Sequence, residues 1–203
     1  MTTTEMYDET VTLPRAVRFP VELRPPEGFD PERLETWPKA PGRLEFVDGR
    51  LLYMPPCGDL QQDTVTDVVI TLGAFVRANP ALVLGTNEAG MRLLGATRAA
   101  DAAVWRRAEL GSYSGLLRRV PPLLAVEVAG EDETEGALLE KADWYLKAGA
   151  KLVWLVLPET REVVCVAREG RPRHGVGGRI PPHADLPGLS PLVAELFAQI
   201  SAQ

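Results

Sequence analysis

Two nearly continuous apolar runs, Leu123–Ala129 and Lys151–Leu157, flank an amphipathic stretch over 133–148 that Gly149 ends. Runs this short and this apolar are expected to be strands covered on both faces, typical of a sheet centre. The stretch between them places Leu138, Ala142, Tyr145 and Leu146 on one side of a helix, and Glu140, Asp143 and Lys147 on the other. One face could stay exposed if that side of the sheet is uncovered, but runs this apolar favour a sheet covered on both sides.

The remaining elements follow from punctuation and period. Residues 43–54 carry Asp48-Gly49 between two apolar runs, a strong hairpin signal. Val65, Val68, Val69, Leu72 and Val76 fall at helical spacing, so a long amphipathic helix is expected from Asp59 to Asn79, after the break at Pro55, Pro56 and Gly58. Asp30-Pro31 is expected to open a short helix that ends before Pro38. Val17, Phe19, Val21 and Leu23 alternate with polar residues and Pro20, which reads as an edge strand. Short strands are expected at Ala81–Gly85, Met91–Leu94 and about Ala99–Trp105, a further strand at Glu162–Arg168, and a final helix near Pro191–Ile200. The order gives an α/β fold, a mixed β-sheet flanked by helices. The expected division is an N-terminal extension over 1–28 and one domain over 29–203, the usual size of a single domain.

Several function classes drop out. Cys57 and Cys165 have no CxxC neighbour and read as reduced thiols. His174 and His183 fit no zinc spacing, and no serine sits in GxSxG. His183, Asp185 and Ser190 are close in sequence, which is not triad geometry. There is no phosphate-binding loop, no apolar run near the roughly 18 residues of a membrane span, and no signal-peptide pattern. No membrane partner and a cytoplasmic location are therefore expected. With 22 basic and 28 acidic side chains the net charge is −6, a poor coat for DNA, so any DNA contact must be local.

Three charges stand where apolar residues belong. Asp101 lies in Ala-Ala-Asp-Ala-Ala-Val-Trp, and Glu127 in Leu-Leu-Ala-Val-Glu-Val-Ala. A carboxylate inside an apolar strand is costly unless something pairs with it. At about 100° per residue, Lys141 projects beside Tyr145 and Ala148, away from the other helix charges. Two acids and a lysine on adjoining elements suit Mg²⁺ chemistry. The cation takes carboxylate oxygens and keeps several waters, and the ammonium neutralises charge on a phosphoryl group. The alternative is a structural ion pair between Lys141 and a buried acid, or a lysine snorkelling along the apolar surface.

The order of these pieces resembles the Uma-type restriction-endonuclease family, a branch of the PD-(D/E)XK nuclease superfamily, from about Arg33 to Leu196. Arg43–Tyr53 is similar to the family's "ElidGel" hairpin, and Met54-Pro55-Pro56 to its helix entry. Ala100-Asp101-Ala-Ala-Val resembles "PDvav", and Val126-Glu127-Val128 resembles "vEV.S". Lys141, Tyr145 and Gly149 resemble "K…Y…GV", Trp154–Pro158 "yWlvdP", and Leu186-Pro187-Gly188-Leu189 "LpGf".

The resemblance implies a restriction-endonuclease-like fold and hydrolysis of DNA phosphodiesters with Mg²⁺ or Mn²⁺. It implies Asp101 and Glu127 as metal ligands and Lys141 as the nuclease lysine, displaced to the helix. Glu45 matches a recurrent acid of the hairpin and would assist, or else it is a surface strand carboxylate. The family's proline is Ala100 here and its serine is Gly130. Its histidine is replaced by Gln61, or by Gln62 if the alignment slips by one; glutamine can hydrogen-bond but cannot titrate. A weak or inactive relative acting as a binding module is the second expectation. Arg92, Arg98, Arg106, Arg107, Arg118 and Arg119, and separately Arg171, Arg173 and Arg179, are candidate phosphate contacts; otherwise they are solvated surface. Double-strand cutting by one site per chain implies a homodimer.

Overall fold

The computed structural model describes residues 20–40, 42–54, 57–112, 117–131 and 133–201. Val17, Phe19, Pro55 and Pro56 lie outside the described residues. Among the described residues nine strands form one sheet: β1 Val21–Leu23, β2 Arg43–Val47, β3 Arg50–Met54, β4 Leu82–Leu93, β5 Ala96–Arg106, β6 Leu124–Val128, β7 Leu152–Leu157, β8 Glu162–Val166 and β9 Arg173–Gly175. The helices are α1 Asp59–Ala78, α2 Arg107–Leu110, α3 Glu135–Ala148 and α4 Ala198–Ser201.

β6, α3 and β7 form the expected centre. β6 and β7 pair in parallel, and α3 makes the crossover that parallel strands require. Every residue of both strands is buried. On one face lie Val68 and Leu72 of α1 with Leu196, Phe197 and Ile200 near the C-terminus. On the other lie Leu138, Ala142 and Tyr145 of α3 with Trp105. The sheet is covered on both sides, as its apolar centre demands.

β2 and β3 are joined by Asp48 and Gly49, both at positive φ (50° and 77°), the conformation that favours Asp-Gly in a two-residue hairpin. β1 pairs only with β3 and forms the sheet edge, immediately after Pro20. The alternating N-terminal segment thus adds a strand to the main sheet.

Three expected elements differ. The short helix after Asp30 is a single 3₁₀ turn, Leu34–Thr36. The Thr36 hydroxyl donates back to the carbonyls of Asp30 and Arg33, which competes with further winding before Trp37-Pro38. The two short strands at 81–85 and 91–94 are one strand, β4. Asn87 and Glu88 at positive φ (56° and 58°) make a bulge that shifts its register on β5 without ending the pairing. The final helix is a 3₁₀ segment, Val193–Phe197, followed by the single turn of α4. In the loop before this segment, Ser190 donates its hydroxyl to the Ile180 carbonyl, while Asp185 bonds Arg106; this is not a triad.

Candidate active site

β5 has β4 along one edge and is shared on the other. β2 meets it at Thr97, and β6 meets it over Ala102–Val104. Between those contacts the edge forks, and side chains take over from strand partners. The Ala99 N–H donates to Glu45 Oε1 (3.4 Å), and the Ala99 carbonyl accepts from Arg43 Nη1 (3.4 Å). The Val128 N–H, at the end of β6, donates to Asp101 Oδ2 (2.7 Å). The fork explains why carboxylates stand in these apolar strands: they satisfy main-chain donors the sheet leaves over.

The register of β5 on β6 continues from Ala102↔Val126 to set Asp101 opposite Glu127, so both side chains project to the face covered by α3. Glu127 is 2% exposed. Its Oε1 accepts from the Tyr145 hydroxyl (2.7 Å) and its Oε2 from Lys141 Nζ (3.2 Å). Lys141 and Tyr145 are one turn apart on α3, which is why both reach the same carboxylate. Lys141 Nζ also donates to Glu133 Oε1 (2.6 Å), and Glu133 Oε2 accepts from the Gly130 N–H (3.1 Å). From the opposite face of the sheet, α1 brings Gln61, whose Nε2 donates to the Val128 carbonyl (2.9 Å). Gln62 instead bonds the Cys57 carbonyl, so Gln61 is the glutamine at the site.

Arg43 lies among three acids, 3.6 Å from Glu45 and 3.9 Å from Asp101, with Glu127 further off. Glu45 is buried (3% exposed) rather than a surface carboxylate. It stands between Arg43 and Arg98 (3.5 Å), and Arg98 lies over the Trp144 ring.

Electrostatics follow from this crowding. Burial, then the neighbouring Glu127, push the Asp101 carboxyl up to about 7, against the pull of the Val128 N–H, Arg43 and Lys141. Burial also raises Glu45. Burial alone would lower Lys141, but Glu127, Glu133 and Glu45 outweigh it and hold the ammonium charged. Burial would raise Glu133, yet Lys141 and the Gly130 N–H keep it below its ordinary value. The Tyr145 phenol is pushed well up by burial and by Glu127, so it remains a donor.

The structure therefore brings Asp101, Glu127 and Lys141 together, while Gln61 bonds the Val128 carbonyl from the other face of the sheet. Glu45 stands one step away, reaching the group through Arg43. Among the described residues no three His, Cys, Asp or Glu side chains form a cage. Two neighbouring carboxylates, one of them pushed up by burial and by the other's charge, still suit a hard cation that keeps several waters. Lys141 is bonded directly to carboxylates, as a structural ion pair requires. A cavity of about 450 Å³ is lined by Gln61, Gly130 and Glu133 among others; of the acid–lysine group it takes in Glu133, and Asp101, Glu127 and Lys141 stay behind it.

Sequence patterning missed Glu133 and Arg43. Glu133 opens the expected stretch over 133–148, where an acid in the first turn is ordinary; in the structure α3 begins at Glu135 and Glu133 lies just before it. The expected phosphate-contact arginines are largely occupied. Arg92 is buried on Glu32 (2.6 Å), Arg106 bonds Asp185 and Glu109, and Arg107 bonds the carbonyls of Pro80 and Leu82. Arg118 lies over Trp105, Arg119 pairs with Glu32, Arg171 with Asp143, and Arg173 with Glu135 and Glu162. Arg179 bonds the Ser190 carbonyl. No helix of the described residues is long and apolar enough to cross a membrane.

A family model described as "Uma2: Putative restriction endonuclease" matches residues 31–196. No curated protein matches the chain. Among solved structures, the crystal structure of a putative nuclease belonging to DUF820 from Anabaena variabilis ATCC 29413 is similar, with a TM-score of 0.71 at 14% identity. The match covers 81% of this chain and 94% of that one. At that identity the likeness is one of fold.

Proposed function

The chain belongs to the Uma2 restriction-endonuclease family, and from that premise we propose that it is a Mg²⁺-dependent endonuclease hydrolysing DNA phosphodiesters at the fork between β2 and β6. The observation that carries the proposal is the placement of Asp101 and Glu127 on one face of adjacent strands, with Lys141 reaching Glu127 from the crossover helix. Asp101 and Glu127 would hold the cation. When bound, Mg²⁺ lowers the pKa of a water and stabilises charge on the phosphoryl oxygens. Lys141, held protonated by its acidic neighbours, acts as a fixed positive charge toward the phosphate rather than as a base. Gln61 ties α1 to the end of β6, and Glu45 keeps Arg43 beside Asp101. Cutting both strands would take two copies of the site, so we further propose a symmetric dimer, checked by light scattering.

The test is plasmid nicking with Mg²⁺ or Mn²⁺. Glu127→Ala and Lys141→Ala should each lower the rate by about a hundredfold or more, the scale of losing a group that stabilises transition-state charge. Equal rates in all three proteins would remove the proposal. The second reading, a non-catalytic binding module, is favoured by the Glu127–Lys141–Glu133–Tyr145 cluster, which is already mutually satisfied without a cation. Calorimetry with Mn²⁺ separates the two: binding that Asp101→Ala abolishes argues against the module.

A further inference from the structure

Lys141 is held from two sides, and its two bonds differ in what a bound cation does to them. The bond to Glu127 is the longer (3.2 Å) and runs to a carboxylate assigned to the metal. An oxygen shared with a divalent cation is a poorer acceptor for an ammonium, so this bond is the one that loosens. The bond to Glu133 is shorter (2.6 Å) and runs to a carboxylate outside that pair. Glu133 is itself anchored. Its second oxygen takes the Gly130 N–H just beyond β6, and the next residue, Thr134, caps α3 by accepting from the Ala137 N–H. Helical side chains lean toward the N-terminus, so Lys141, two turns into α3, reaches back to Glu133 without strain. The Glu133 side chain is 20% exposed, against 2% for Glu127, and lines the cavity beside Gln61 and Gly130. The ammonium thus lies between a buried acid and an acid on the open side of the site.

We propose, on the basis of the nuclease reading above, that Glu133 is a positioning residue whose carboxylate keeps the Lys141 ammonium in place when Glu127 is given over to the metal. A purely structural ion pair would act on stability and leave turnover alone. A positioning residue acts on turnover through Lys141 and leaves the metal site intact.

The experiment measures plasmid cleavage with Mg²⁺ and Mn²⁺ calorimetry on the full chain. The variants are Glu133→Gln, Glu133→Asp, Lys141→Ala and the Glu133→Gln/Lys141→Ala double variant. Glu133→Gln keeps an acceptor for Gly130 and loses the charge. It should bind Mn²⁺ and hold KM for DNA within about threefold of wild type, while kcat falls about tenfold or more. Glu133→Asp should recover part of that loss. The double variant should be no slower than Lys141→Ala alone, because the two side chains act as one unit. Glu133→Gln cutting as fast as wild type overturns the role, as does a double variant slower than Lys141→Ala by the full Glu133 effect. If Glu133→Gln fails to fold, Glu133→Asp alone decides: it must lower kcat at unchanged Mn²⁺ affinity, or the role falls. A wild-type chain that cuts nothing removes the nuclease reading, and this role with it; that outcome is distinct from an active wild type indifferent to Glu133.

Discussion

Asp101 holds its proton to about 7 because burial and Glu127 both disfavour its charge. In the unfolded chain the group titrates near 3.8, so between those values the folded state binds more protons. The sign follows: this carboxyl favours the fold below pH 4, and that contribution is lost as pH rises through 7. Urea midpoints of the metal-free protein should therefore fall from pH 5 to pH 8 more steeply for wild type than for Asp101→Asn. Identical pH profiles would refute the placement. Stabilisation by Mn²⁺ should be larger at pH 8 than at pH 6, since a proton must leave for the cation to enter; thermal shifts at the two values check it. Tyr145→Phe makes a different demand. It strips a donor from a fully buried carboxylate oxygen, and should cost about 1–3 kcal/mol by urea denaturation. At this scale Asp101, Glu127 and Lys141 were legible, because a charge in an apolar run breaks the pattern around it. Glu133 and Arg43 were not. They sit at polar positions where a charge is ordinary, and only the fork and the helix entry bring them to the site.

α3 carries Lys141 and Tyr145, and its end is set by Gly149 at φ 112°, where the Ala150 N–H closes back on the Tyr145 carbonyl. A Cβ at Gly149 would stand 3.1 Å from Pro121 Cγ as well as in a conformation side chains avoid. Gly149→Ala should cost about 1–2 kcal/mol, read as a lower urea midpoint at unchanged slope. It should also lower cleavage, because the helix that aims Lys141 is displaced. A variant as stable as wild type would mean the cap is not needed. The helix and its stop were visible beforehand, as were α1, the Asp48-Gly49 hairpin and the two central strands. Each has a strong local period or a turn whose chemistry is in its own residues. β4 was read as two strands because its bulge at Asn87 and Glu88 looks like a turn from sequence alone; only its pairing with β5 carries the strand through. The Leu94-Gly95 turn between β4 and β5 was equally opaque, since leucine at positive φ (50°) is held by the long ladder on either side and not by preference. The 3₁₀ turn after Asp30 was over-read for the complementary reason: a good helix start was followed by too few residues before Pro38.

A chain of net charge −6 has to reach DNA without a basic coat, and the paired arginines sharpen that constraint. Arg92, Arg106, Arg171 and Arg173 already serve carboxylates of the protein itself, so each would have to leave a partner to meet a phosphate. At the fork, Glu127 and Glu45 stand against Arg43, Arg98 and Lys141, and Asp101 adds its charge only as it ionises, so little positive charge is left over for a phosphate. Metal-free protein should therefore bind DNA weakly. The slope of log K against log salt should be about −2 to −3, the expectation for two or three phosphate contacts. A divalent cation that binds without supporting cleavage, such as Ca²⁺, would add positive charge at the fork. It should raise affinity about tenfold or more, and Asp101→Ala should abolish that gain. Fluorescence anisotropy with a labelled duplex in EDTA and in Ca²⁺ measures both quantities. A steep slope in EDTA, about −6 or beyond, would reveal an extended basic surface instead. Affinity indifferent to Ca²⁺ would mean that the carboxylate pair does not govern DNA contact. On the nuclease reading, a gain with Ca²⁺ that Asp101→Ala removes would make DNA binding and metal loading coupled events, each favouring the other by the same factor.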